Sequence, residues 1–522
     1  MKFRLLFATL FCALMIQNAT AQSKVFREVA GEISSDFEPI VQDNSLIGYL
    51  MFTKLEAVSK DSFNYKISIM DENLNDIGVV NFRQSQLLLK SVTFEQDVIM
   101  LLYRKEDTKT KTETYGRRGQ QRDVKETQDS AFVQFINLEG KILKTESSKI
   151  TVSRNWVYTK YSSYLNIEAP YMQIANLPQK GFAFLCIEKD KQTIVAYNPK
   201  GERVWTKAPP KGADDYYMIA NVKSIYLLTY KQPMSKRGTK GTYEVHSINA
   251  NDGKSSDNYE LKDKEGSYFR VLDFQIDKAT NNPVLSGMIH VGSERFMNAK
   301  REFKSYYKGV FTVSFNGTSK GDTKPVFSYW SNGSNSEISQ KGKLIKENKF
   351  ISIQEAVSDY EGNKYFVGSL VKRKARPFAI VGGILLLPVP LADLAVPFLT
   401  YTKLVSNEVT ILKLNSKGVL QNIANIDAKK VKYDPYEASL NGGGKRLFFS
   451  VYNAVSKSSY LVISDADNTY LYNLKDQKVA KTIPRSNGES VVTVIPAKEG
   501  SIMISEINRK EKYSKLSIEP VQ

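Results

Sequence analysis

Lys372-Arg373-Lys374-Ala375-Arg376 puts four cations into five residues, and an apolar stretch, 377–400, follows with Asp393 as its single charge. Cations beside aliphatic side chains suit a surface that is anionic and apolar at once. The charged groups meet head groups while the hydrocarbon leaves water. The candidate contact residues are therefore Lys372, Arg373, Lys374 and Arg376, with Ile384, Leu385, Leu386 and Leu387 behind them. Trp156, in Arg154-Asn155-Trp156-Val157-Tyr158, joins them as a stacking platform for a sugar ring.

Other chemistry is thin. His246 and His290 are the two histidines, each in a strand-like run, with no HExxH or comparable ligand spacing. No Gly-x-Ser-x-Gly elbow and no phosphate-binding glycine loop occurs. The 55 carboxylates offer many pairs for glycoside hydrolysis, but such a pair is defined only in space. Asp465-Ala466-Asp467-Asn468 matches a fragment of a calcium loop and reads as a turn. No catalytic residue, metal ligand or cofactor is assigned.

The 377–400 segment admits three readings: a membrane-spanning helix, a re-entrant or surface-lying pair of helices, and an insert folded onto the protein itself. Pro388, Pro390, Pro397 and Asp393 argue against the first. So does topology, because the strands on either side belong to one sheet, and a single crossing would pull that sheet apart. No true transmembrane span is expected.

Residues 1–21 have the form of a secretory signal. Lys2 and Arg4 precede the apolar run Leu5 to Ile16, and Ala19-Thr20-Ala21 supplies the small residues of a cleavage site before Gln22. Cleavage after Ala21 removes two basic groups and no acid, so the formal charge falls from +18 to +16. The expected location is periplasmic or secreted, which sets nucleic acid aside. The expected partner is an anionic envelope component (an acidic glycan or lipid head group) or a protein. Cys186 is then the only cysteine left, so no internal disulfide forms. It lies in Phe182-Ala183-Phe184-Leu185-Cys186-Ile187 and reads as a buried small hydrophobe.

The elements that position these residues repeat along the chain. An apolar strand, a turn of the type Asn-x-x-Gly and another strand recur at Asn137 to Gly140 and Asn198 to Gly201. Variants follow at Asn249 to Lys254, Asn316 to Gly321, Asn415 to Gly418 and Asn473 to Gln477. Asn and Gly accept positive φ and suit tight antiparallel hairpins. About eight four-stranded units can be laid out this way. The last holds only three strands, Ser490 to Ile495, Ser501 to Ile507 and Tyr513 to Ile518, and the segment Val25 to Ile33 is a strand without a partner. Pairing them closes a ring and removes the exposed edges. The expected fold is all-β, a single propeller of seven or eight blades over 22–522, with two all-β domains as the alternative. Two insertions interrupt it: a polar loop at 106–128, which has little to bury, and the basic and apolar segment 372–400.

With its signal peptide and hairpin series, the mature chain resembles secreted bacterial β-propeller proteins of uncharacterised function. That resemblance implies no catalytic residues. The functional expectation is an exported, monomeric, non-enzymatic binding or scaffold protein of the bacterial envelope, with the basic and apolar insertion as its contact surface. The alternative is a glycan-active enzyme with its site in the propeller channel.

Overall fold

The computed structural model describes residues 22–27, 35–42, 45–59, 61–115, 120–150, 171–187, 192–231, 241–278, 280–290, 307–317, 320–330, 337–340, 342–375, 402–415, 418–428, 448–453, 455–508 and 510–521. Among them every sheet is an antiparallel meander, and there are eight sheets. In chain order they are blade 1 (35–84), blade 2 (86–150), blade 3 (172–207), blade 4 (215–260), blade 5 (268–329), blade 6 (343–427), blade 7 (448–484) and blade 8 (486–520). From blade 1 round to blade 7 the first strands of successive blades lie against one another and form the inner ring; blades 6 and 8 carry a two-residue strand, Lys343–Leu344 and Ser486–Asn487, ahead of the strand counted here as their first.

The packing explains the long apolar runs. Each blade is covered on both faces, so consecutive strand residues are buried against opposite neighbours. In blade 2, Ile99, Leu101 and Tyr103 join a cluster with Leu50, Phe52 and Ile67 of blade 1. The alternate residues Val98, Met100 and Leu102 join one with Phe182, Phe184 and Cys186 of blade 3. Cys186 is thus a packing residue, as its run implies. Eight such apolar clusters occur, one for each pair of neighbouring blades, and the eighth joins blade 8 to blade 1.

The ring is closed by the chain's first strand. Gln22–Arg27 is the outermost strand of blade 8 and pairs antiparallel with the strand Tyr513–Pro520, Gln22 opposite Ile518 and Arg27 opposite Tyr513. Phe26 packs on the cluster of Tyr49, Met70, Met503 and Ile518. The closing strand therefore starts at Gln22, three residues earlier than the sequence suggests. Blade 7, whose strand order the sequence leaves ambiguous, is a plain meander of Phe448–Asn453, Ser458–Ser464, Asn468–Asn473 and Lys478–Pro484.

A meander places alternate connections at opposite ends, so the propeller has two unlike faces. One, the turn face, carries the connections from first to second and from third to fourth strand. None is longer than the seven residues between Phe315 and Thr323. The recurrent turn is built by its first side chain. Asn137 Oδ1 accepts from the Lys141 amide at 2.7 Å, while the Gly140 amide donates to Asn137 O at 3.0 Å. Gly140 sits at φ 87°, where a Cβ is unfavourable.

Turn-face residues also latch neighbouring blades together from blade 2 round to blade 1. Glu95 accepts from the Gln179 amide at 2.9 Å, Lys180 Nζ donates to Val222 O at 2.6 Å, and Asn221 Nδ2 to Asn281 O at 2.9 Å. Lys364 lies 4.0 Å from Asp277, the Tyr360 amide donates to Ser459 Oγ at 2.7 Å, and Asn453 Nδ2 donates to Val521 O at 3.1 Å. Lys498 Nζ to Asn73 Oδ1, 2.5 Å, joins blade 8 to blade 1. Each bond adds about 1 kcal/mol at most, but together they fix the blades at this end.

Candidate functional site

The opposite face carries the connections from second to third strand and from blade to blade. The strands that flank the longest connections all end and begin here: Ile150 to Met172, Lys231 to Thr242, His290 to Tyr307, Tyr329 to Lys343, Ala375 to Thr402 and Asp427 to Phe448. Two second-to-third hairpins also rise beyond their blades on this face as two-stranded arms.

The first arm belongs to blade 2. Val98–Tyr115 and Gln120–Asn137 pair without a break, from Val98 opposite Asn137 to Tyr115 opposite Gln120. The blade's first strand follows only to Glu106, and its fourth strand only back to Asp129. Of the stretch 106–128, expected as a polar loop, residues 106–115 and 120–128 form this ladder. Thr108, Thr110, Thr112 and Thr114 recur at period two, and threonine favours strands. Register also sets Lys109 opposite Glu126 and Glu113 opposite Arg122, which supports the pairing.

The second arm belongs to blade 6. Lys364–Ala375 pairs with Thr402–Leu414, and beyond Val371 opposite Ser406 the ladder runs on alone through Lys372–Val405, Arg373–Leu404, Lys374–Lys403 and Ala375–Thr402. Its root is rigid. Phe366, Val367, Ile411 and Leu412 are buried in the two flanking clusters. Lys349 and Glu408 pair across the foot of the arm. A bulge between Ser369 and Val371 bends the strand just before the basic run. In a ring of eight, blades 2 and 6 stand opposite each other, so the arms face one another across the axis.

Of the sequence-derived contact residues, Lys372 is exposed at the root of the blade 6 arm, and Arg373 and Lys374 follow on the same strand. Arg376, Ile384, Leu385, Leu386, Leu387 and Trp156 lie outside the described residues, as do residues 1–21. The strands flanking Trp156, Ile142–Ile150 and Met172–Leu177, end and begin at the arm face. Among the described residues no helix is long and apolar enough to cross a membrane. Sequence reasoning misses the blade 2 arm, although its period-two threonines signal a strand. It also misses the Lys349–Glu408 pair, whose partners are 59 residues apart.

The remaining chemical residues are built into the scaffold. Trp330 donates from Nε1 to Tyr307 O at 2.8 Å within the cluster between blades 5 and 6. Trp205 donates to Ala250 O at 3.0 Å and packs on Gly253 of the next blade. Asp465 Oδ1 accepts the amides of Asp467 and Asn468 at 2.8 and 2.6 Å, so that acidic run is an ordinary turn. Among the described residues no three groups are placed to hold a metal ion. On the inner ring Glu95, Asp215, Asp273 and Glu355 are buried, and each is engaged by a neighbour. Burial, above all, lifts the Tyr452 phenol to about 12, with Asp359, Asp273 and Asp277 adding to the effect against a lowering hydrogen bond with Ser450.

His290 packs on Tyr307 with ring centroids 4.3 Å apart and the rings tilted by 54°, and Arg270 Nη1 donates to Tyr307 Oη at 3.1 Å. Burial first, and the Arg270 charge second, hold its pKa down to about 3. The unfolded chain then binds a proton below about 6.5 that the native state refuses down to about 3, so stability falls as pH drops through that window. Between pH 7 and pH 5 the loss from this group is about 1–2 kcal/mol. Denaturant midpoints at the two pH values measure it, and His290→Phe is expected to flatten the difference.

Fold and surface together define an eight-bladed β-propeller with a latched turn face and a two-armed opposite face. The chain belongs to the DUF6770 family of unknown function, which it matches over residues 1–441. No curated protein matches it. Among solved structures it is similar to the Dos1 propeller (8% identity, TM-score 0.43, covering 95% of this chain and 93% of that one). It is also similar to apo AztD from Citrobacter koseri (9% identity, TM-score 0.37, covering 91% and 96%). A protein of unknown function from Bacteroides caccae is a further likeness (10% identity, TM-score 0.28, covering 61% and 87%). No function is carried over from any of them.

Proposed function

We propose that this is an exported, non-enzymatic binding or scaffold protein of the bacterial envelope, periplasmic or secreted, that meets its partner with the arm face. The observation that carries this reading is that the strands flanking every long connection end and begin on one side of a ring whose other side is latched shut. Lys372, Arg373, Lys374 and Arg376, with the apolar residues after them, form the contact for an anionic envelope component such as an acidic glycan or a lipid head group. Export rests on the signal-like residues 1–21, and cleavage after Ala21 leaves the closing strand Gln22–Arg27 whole. Binding is favoured over glycan hydrolysis because the inner-ring carboxylates, the four buried ones and the more open Asp36 and Glu38 of blade 1, are all engaged by neighbours, while hydrolysis needs two facing a substrate.

The register suggests a clean test. Val371 and Ser406 are opposed at the arm's root, so residues 372–405 can be replaced by an Asn-Gly turn that reconnects the blade. The shortened protein is expected to keep its melting temperature and to lose association with vesicles containing anionic lipid or lipopolysaccharide. Unchanged association in a stably folded variant overturns the contact role.

A further inference from the structure

The blade 2 arm ends in two strand edges that nothing among the described residues covers: Asp107–Tyr115 on one side and Gln120–Gln128 on the other. A free two-stranded ribbon is marginal in water, and its edges present unpaired amides and carbonyls to another strand. Which strand fits depends on the order of residues along each edge.

We infer that a second copy of this chain pairs with this arm, antiparallel, along the edge Gln120–Gln128. Its sequence, Gln120-Gln121-Arg122-Asp123-Val124-Lys125-Glu126-Thr127-Gln128, is complementary to itself about Val124. An antiparallel pairing centred there sets Val124 opposite Val124, Asp123 opposite Lys125 and Arg122 opposite Glu126. The outer positions are uncharged, Gln121 with Thr127 and Gln120 with Gln128. The two-fold axis repeats every charged pair, giving four attractive cross-strand pairs and no repulsive one. Moving the centre by one residue sets Asp123 on Asp123 or Lys125 on Lys125, so the register is specified. The other edge is less complementary, because its best centring, on Thr112, sets only Lys111 opposite Glu113, two attractive pairs against the four of Gln120–Gln128. The interface uses main-chain hydrogen bonds for affinity and the charge order for choice of partner.

The interface departs from the monomer expected from sequence, and it is separate from the blade 6 contact. Within the arm, Asp123 and Lys125 are opposite Thr112 and Thr110, so changing their charge leaves the hairpin's own ion-pair positions alone. The test uses the mature full-length protein in analytical ultracentrifugation. The wild type is expected to dimerise at micromolar concentration. Asp123→Lys and Lys125→Asp are each expected to weaken the dimer about tenfold or more with an unchanged melting temperature. The double variant is expected to dimerise again. Mixing the two single variants restores attraction at both charged positions, so they should form a heterodimer. A monomeric wild type, or a dimer indifferent to both single substitutions, overturns the proposal.

Discussion

Deleting Gln22–Arg27 is expected to lower the melting temperature by about 5 °C and to make the protein aggregate. The deletion removes one ladder of blade 8, takes Phe26 off the cluster of Tyr49 and Met503, and breaks the bond from Lys24 Nζ to Leu74 O, 3.2 Å, that ties blade 8 to blade 1. Lost hydrogen bonds and lost apolar burial together come to about 5 kcal/mol. The deletion also bares the edge of Tyr513–Pro520. Thermal unfolding followed by circular dichroism and light scattering measures both effects, with the chain starting at Gln22 as the control. An unchanged melt would show that the ring does not depend on its first strand.

Gly368→Val is expected to cost more than about 4 kcal/mol, enough to leave little folded protein. Gly368 lies opposite a bulge in the first strand of blade 6, between Ile353 and Glu355. A Cβ there would sit 2.0 Å from Ser352 O and 2.6 Å from Ile353 Cα, both backbone atoms that cannot swing aside. Gly362, in the same blade, gives the contrast. It has φ 82° and nothing within 4 Å of a built Cβ, so Gly362→Ala meets only the backbone penalty, about 1 kcal/mol. Equilibrium unfolding in denaturant separates the two. Equal costs would refute the steric account.

Much of the ring is legible in the sequence because its determinants are local. The turn at Asn198 is closed by its own side chain, which accepts the Lys200 and Glu202 amides at 3.0 Å. Residues such as Val98 to Tyr103 are apolar without a break because they are covered from both sides. The three C-terminal strands imply a missing fourth, and Gln22–Arg27 supplies it. What composition misreads is the blade 2 arm. Low hydrophobicity reports that a segment is not buried, but it does not report whether its backbone is paired. The turn at Asp359 escapes the Asn-x-x-Gly pattern only because aspartate does the same work. Its Oδ1 accepts the Asn363 amide at 2.8 Å. The Gly368 bulge and the Lys349–Glu408 pair depend on strands that meet only after folding, so no local pattern announces them.

The strand that seals the ring also decides which way the molecule looks. Gln22 opposes Ile518 near the end of the last strand, and the Val521 amide donates to Gly500 O in a turn-face connection. Both ends of the described chain therefore leave from the side of the latched turns. A tether, fusion partner or solid support attached at either terminus holds the molecule by its back. Its two arms then point outward, toward whatever approaches from the other side.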